Sequence, residues 1–237
     1  MLLLLAIAPA LSAQAGKVVF ESQPHRTQLI ELYTSEGCSS CLAAEAWMTS
    51  LKNEPRLWRD FVPVAFHVDY WDHLGWRDPF ARKLWTDRQT EYSVRWKSER
   101  VYTPAFALDG KKEWHQGALT AATELAGVLR IAIDGDRMEA AFKAAEPRVR
   151  RYDIHIAQLG FSMTSDVVAG ENSGRKLIHD FVVLGLTNET MKGNVAKDLR
   201  LLPPTMKSTA EPRTALAAWV TEAGKIEPLQ ALGGWLP

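Results

Sequence analysis

Two cysteines are all the chain has in 237 residues, and they stand three apart, as Cys38 and Cys41 in the stretch GCSSC. Thiols at that spacing can close a disulfide, share a metal, or do each at different times. Upstream, TQLIELYTS from Thr27 is rich in apolar and β-prone residues and predicts a buried strand. Glu36-Gly37 then signals a turn. From Cys41 the chain reads CLAAEAWMTSLKN, a run of good helix formers, with Ser39 or Ser40 placed to cap its first amides. The dithiol is therefore expected at a strand-to-helix turn, on a helix N-terminus. Unpaired amides and the positive end of the helix dipole lower a thiol pKa there, which makes a nucleophile. Cys38 is assigned as the attacking thiol and Cys41, one turn in, as the resolving thiol that releases a mixed disulfide.

The N-terminus supplies a compartment for this chemistry. An apolar run from Leu2 to Ala10 precedes Ala13-Gln14-Ala15, an A-x-A-like cleavage site, so residues 1–15 read as a signal peptide although no Lys or Arg precedes the apolar run. The alternative is a buried N-terminal helix. An exported protein would work in an oxidising space, periplasmic or secreted, where a C-x-x-C pair is redox-active or bridged. Lysine plus arginine balances aspartate plus glutamate at 28 each, with no basic run, which argues against a nucleic-acid partner. No stretch is long and apolar enough for stable membrane insertion.

Further along, FVPVAFHVD from Phe61 predicts a second strand, followed by a loop dense in Trp, Gly and Asp. Pro79 is placed to open a helix over PFARKLWTDRQTEYSVRW. VYTPAFALDGKKEWHQG predicts two strands joined at Asp109-Gly110, and ALTAATELAGVLRIAI predicts a closing helix over residues 118–133. Strands alternating with helices predict an α/β fold over residues 16–146, with a helical insertion near 70–99. After Glu146-Pro147 the alternating segments YDIHIAQLGFSMTSDVVAGE, GRKLIHDFVVLGLTN, TALAAWVTEAG and KIEPLQALGGWL predict an antiparallel β-rich unit over residues 147–237.

The stretches ELYTSEGCSSC, FHVDYWDHLGWRDPF, VYTPAFALDG and AGENSGRKLIHDFVV closely resemble a bacterial family of secreted thioredoxin-like proteins that carries a domain-of-unknown-function label. The resemblance covers nearly the whole mature chain. It implies export and a thioredoxin-like domain over about residues 27–132, and it implies no substrate. It also implies a role for Thr103-Pro104. In thioredoxin-like folds a cis-proline in this place approaches the dithiol, and the residue before it offers backbone hydrogen bonds to a bound peptide. Two departures stand out. Leu42-Ala43 replaces the Pro-Pro that the family tends to carry after the second cysteine. Compared with thioredoxin itself, Gly37 replaces the tryptophan before the first cysteine and Ser39-Ser40 separates the thiols. Oxidant, reductant and isomerase all stay open.

Weaker signals carry two readings each. His67 and Asp69 share a strand face, and His67 or His73 with Cys38 and Cys41 could form a copper or zinc site; otherwise His67 is a core histidine and His73 a loop residue. Seven of the nine tryptophans fall between Trp47 and Trp114. Trp71 and Trp76 either line a groove for an unfolded peptide or pack in the core, where Trp47 and Trp85 belong. Asp72 and Asp78 suit turn or helix caps. Glu31 and Glu45 are candidate proton acceptors for the resolving thiol, or else exposed carboxylates. Asn188-Glu189-Thr190 matches a glycosylation acceptor, a motif common by chance. The leading expectation is a thiol–disulfide oxidoreductase that needs no cofactor. It would act on protein or peptide thiols and disulfides, with a redox partner protein. The alternatives are a copper- or other metal-binding protein and a scaffold with a structural disulfide.

Overall fold

The computed structural model describes residues 17–98, 100–111, 114, 119–146, 151–200 and 213–237. The expected signal peptide lies outside them. In chain order the elements are β1 (Val18–Glu21), β2 (Gln28–Thr34), α1 (Cys41–Ser50), β3 (Phe61–His67), α2 (Lys83–Arg95), β4 (Ala105–Leu108), β5 (Gly127–Asp134), β6 (Arg137–Ala144), β7 (Tyr152–Gly160), β8 (Met163–Asp166), β9 (Lys176–His179), β10 (Val182–Thr190), β11 (Val195–Leu199), β12 (Thr214–Glu222) and β13 (Pro228–Trp235).

The expected α/β, thioredoxin-like class is corrected by this inventory. The described residues form thirteen strands in three sheets and two α-helices, so the chain is mostly β. The helix expected over 118–133 is one source of the error. Its second half folds as β5, because Val128, Ile131 and Ile133 are β-branched and burial alternates along the strand. The Ala- and Leu-rich composition pointed to a helix, but the period of two prevails. Strand β5 turns back into β6 through Gly135, whose φ of 59° suits a two-residue hairpin. Pro79 does not open α2, which starts at Lys83. At Asp109-Gly110 both residues have positive φ, as a tight hairpin turn requires, and the Trp114 amide donates to the Phe106 carbonyl (3.1 Å). The return strand expected there falls largely outside the described residues.

The largest sheet runs β13-β12-β7-β10-β3-β2-β4, with β3 parallel to both β2 and β10 and the other pairs antiparallel. It takes β2, β3 and β4 from the first part of the chain and the remaining strands from beyond residue 151. A four-stranded sheet, β1-β5-β6-β11, covers one face of its C-terminal half. Strand β12 therefore serves two cores: Ala215, Ala217 and Trp219 point into one, Leu216, Ala218 and Val220 into the other. That explains its unbroken apolar run. Pro63 is tolerated inside β3 for a local reason. The Ala65 amide donates to Phe181 at the start of β10, so the nitrogen two residues earlier faces the same side before β10 begins to pair. No described helix is long and apolar enough to cross a membrane.

Beneath α2 lies a buried polar network. Glu31, fully buried in β2, takes Arg88 Nε and Nη2 at 2.7 and 3.0 Å and the Tyr33 hydroxyl at 3.0 Å, and it also accepts from the Tyr92 hydroxyl. Burial, then the Glu31 charge, holds both tyrosines well above the usual phenol range. Burial alone would lower the Arg88 pKa; Glu31 outweighs it and holds the guanidinium charged. Glu31 is thus committed to α2. Removing Arg88 would strand a buried carboxylate, so we expect Arg88→Met to lower unfolding free energy by about 3–5 kcal/mol. Urea unfolding of the wild type and variant measures it.

Candidate functional site

Strand β2 ends at Thr34, and a tight turn carries the chain into α1. Ser35 accepts twice in this turn: its hydroxyl oxygen from the Gly37 amide (3.1 Å), its carbonyl from the Cys38 amide (3.1 Å). The two cysteines form a disulfide with Cα atoms 5.4 Å apart, Cys41 being the first residue of α1. Both are fully buried. The serines between them do not cap the helix as expected. The Ser40 hydroxyl lies 3.3 Å from Cys38 Sγ, and Ser39 turns outward. Gly37 is required where it stands, because a Cβ there would come within 2.8 Å of the Trp71 Cβ.

Two loops enclose this turn. The first, between β3 and α2, carries Trp71, whose indole Nε1 donates to the Thr103 hydroxyl (2.8 Å). Thr103-Pro104 is a cis peptide just before β4. Trp71 is thus the side chain that links the cysteine turn to Thr103-Pro104. The second loop joins β8 to β9. There Glu171 accepts from the Ser39 amide (2.9 Å) and hydroxyl (2.7 Å), bonds that hold its carboxyl below the usual range. Asn172, fully buried, donates to the Glu36 carbonyl (2.8 Å).

Behind the disulfide is a dense cluster of ionisable groups. His179, on β9, sits between two carboxylates, with Nε2 2.9 Å from Glu36 and Nδ1 2.6 Å from Glu45. The Glu45 carboxylate, one turn into α1, also accepts from the Thr34 hydroxyl (2.5 Å). Glu36 also accepts from Trp76 Nε1 (2.6 Å). His67 Nδ1 meets Asp78 at 2.8 Å, and Asp78 further accepts from the amides of Glu36 and Phe80. Burial opposes ionisation of both Glu45 and Asp78. The histidine facing each outweighs burial, and both carboxyls lie below the usual range. Burial alone would also discharge His179, but Glu45 and Glu36 raise its pKa to about 10.

The sequence-derived candidates thus separate. Cys38 and Cys41 pair, and Thr103-Pro104 reaches their turn through Trp71. His67 joins Glu45 and the Asp78 cap in the buried cluster, whereas His73 is exposed with Nδ1 on the Tyr70 carbonyl (2.7 Å), so the Cys38, Cys41, His67 and His73 set is not assembled. Asp69 accepts from Thr86 (2.6 Å) at α2. Trp85 is core, Trp47 packs against it, and Trp71 and Trp76 are half-buried. Asn188 lies at the exposed end of β10, where it meets His155 (2.8 Å). Sequence reasoning placed Glu36 only in a turn and gave no role to Glu171, Asn172 or His179. The β8–β9 stretch lay within the quoted resemblance, but no local pattern marks a histidine whose partners stand 134 and 143 residues away.

Two outcomes follow from this geometry. Glu171→Ala removes an exposed tie over the cysteine turn, and we expect a several-fold faster reduction of the disulfide by a small dithiol, followed by thiol trapping. The His179 pairing has the opposite sign of pH dependence from a carboxylate's. A folded pKa near 10 against about 6.5 unfolded means that its stabilisation is complete below about pH 6.5 and is lost as pH rises through about 10. The stability gap between wild type and His179→Gln should therefore shrink between pH 7 and pH values above 10, as measured by denaturant unfolding.

Known structures share this architecture. A protein of Agrobacterium tumefaciens solved by a structural genomics consortium matches with a TM-score of 0.61 at 22% identity, over 91% of this chain and 96% of its own. HBP35 of Porphyromonas gingivalis matches with a TM-score of 0.53 at 10% identity, over 91% of this chain and 76% of its own. At these identities the likeness is one of fold. No curated protein matches the chain. Residues 29–221, from β2 through most of β12, match the family described as protein of unknown function (DUF1223), and the chain belongs to that family.

Proposed function

We propose that the chain is a thiol–disulfide oxidoreductase of the periplasm or secreted space, and that Cys38–Cys41 is its redox centre. The observation that carries the reading is the placement of the only two cysteines, bridged at the first turn of α1 directly after β2. In the oxidising direction a substrate thiolate attacks Cys38 Sγ, the Cys38–Cys41 bond breaks, and Cys41 leaves as a thiolate. A second substrate thiolate then attacks the substrate sulfur of the mixed disulfide and expels Cys38. The substrate loses two electrons and two protons and gains a disulfide, and the protein gains two thiols. The reverse sequence begins with the Cys38 thiolate attacking a substrate disulfide, and Cys41 resolves. The positive end of the α1 dipole would favour the thiolate in either direction.

Thr103-Pro104 would present backbone to the substrate segment that carries the sulfur. Tyr102, the residue just before them, lines a cleft with Gln89, Trp96, Val101 and Phe106 that suits an extended peptide. Because Cys38 is fully buried, substrate must displace part of its cover, and the exposed Ser39–Glu171 contact is the simplest part to open. The same burial favours a second reading, in which the bridge is a structural staple of a binding scaffold.

The reduction potential separates the two. Equilibration with glutathione and counting of trapped thiols should give a value of roughly −120 to −270 mV for a working centre. A value below about −300 mV would establish the staple. For the oxidoreductase we expect Cys38→Ser to abolish turnover of a model dithiol and Cys41→Ser to accumulate a mixed disulfide through Cys38. Turnover unchanged in Cys38→Ser would refute it.

A further inference from the structure

The geometry points to a second site behind the disulfide: Glu45, His67 and His179 form a binding site for one divalent transition-metal cation, of which Zn²⁺ is the test case. One donor atom from each of these three residues lies within 4.8 Å of the other two. The two imidazole rings stand edge to face, with centroids 5.0 Å apart. Three elements that share no local sequence converge here: α1 supplies Glu45, β3 His67 and β9 His179.

The decisive observation is an unpartnered atom. His67 is 1% exposed, and its Nε2 has no hydrogen-bond partner among the described residues. A buried imidazole nitrogen without a partner is costly, so such atoms are rare. His67 Nδ1 faces Asp78, so Nε2 is the ring nitrogen left open to a ligand. This is how carboxylates orient metal-binding histidines. His179 repeats the arrangement with the opposite nitrogen: Nε2 faces Glu36, and Nδ1 is directed at Glu45. Glu45 is steadied in turn by Thr34, and Glu36 by Trp76. Every ligand thus has its own orienting partner, a feature that a casual histidine cluster lacks.

Charge supports the same conclusion. Glu36, Glu45 and Asp78 are three carboxylates in a buried cluster. Carboxylates gathered out of water favour a cation among them. A divalent ion would take the place of the proton between His179 Nδ1 and Glu45, and that proton would pass to solvent. Two imidazoles and a carboxylate select a borderline transition ion over Ca²⁺ or Mg²⁺, which favour oxygen. Donors of a tetrahedral zinc ion stand roughly 3.4 Å apart, given bonds of about 2.0–2.1 Å to nitrogen. The 2.6 Å His179–Glu45 contact would therefore open as the ion enters. The disulfide contributes no ligand, so this site does not depend on the redox reading.

The test uses the full-length folded protein, disulfide intact, first stripped with a chelator. Titration with Zn²⁺ should saturate at one equivalent and raise the melting temperature. Co²⁺ at the same site should show ligand-field bands of nitrogen and oxygen donors without a thiolate charge-transfer band. A Cys38→Ser/Cys41→Ser variant should keep the equivalent. His67→Gln should lose it, and Asp78→Asn should weaken it by about 10–100-fold. If His67→Gln fails to fold, the stoichiometry and the Co²⁺ spectrum of the wild type still decide. Absence of a saturable equivalent, a thiolate band, loss of the ion in the double cysteine variant, or unchanged affinity in a folded His67→Gln protein would each overturn the proposal.

Discussion

Glu36 is the residue on which the two loops and the disulfide turn converge. It is fully buried and uses every polar group it has. Its amide donates to Asp78 and its carbonyl accepts from Asn172. One carboxylate oxygen faces His179, and the other accepts from Trp76. Two stretches of chain distant in sequence, 76–78 and 172–179, thus meet at one residue two positions before Cys38. Each bond taken alone is modest, but a buried carboxylate with any of these partners missing would be left short of compensation. The position of the cysteine turn against the β8–β9 loop follows from satisfying this one group.

The parts of this arrangement that were legible in the sequence were the local ones. An apolar strand, a turn at Glu36-Gly37 and a helix from Cys41 are each specified within a dozen residues, and β2 and α1 form there. Asp78 could be read as a turn cap because an aspartate bonds the amide two residues on, as it does to Phe80. The class of the fold was not legible. A run such as ALTAATELAGVLRIAI has a helical composition and a strand's period in its second half, and tertiary pairing with β1 and β6 decides for the strand.

The site was half legible for the same reason. Cys38, Cys41, His67 and Glu45 announce themselves by type and place. Which of them meet is set by sheet order, and β9 arrives at the α1–β3 region only because β10 runs beside β3. His179 therefore looks like any strand histidine until the sheet is known. Glu31 misled in the other direction: its place in β2 suggested a proton acceptor, yet Arg88 and two tyrosines claim both of its oxygens.

The parallel pairing of β10 with β3 also bears on how the chain must fold. Val182 pairs with Ala65 across more than a hundred residues. Until β10 has been synthesised, the side of β3 that it will occupy stays an open edge, with the bare Ala65 amide as a point for another strand to join. Such long-range closure is slow and leaves the nascent chain sticky. Pro63 blunts that edge two residues before Ala65, on the same side, because a proline offers no amide to a foreign strand. The residue tolerated in the finished sheet would thus serve as a guard while the sheet is incomplete.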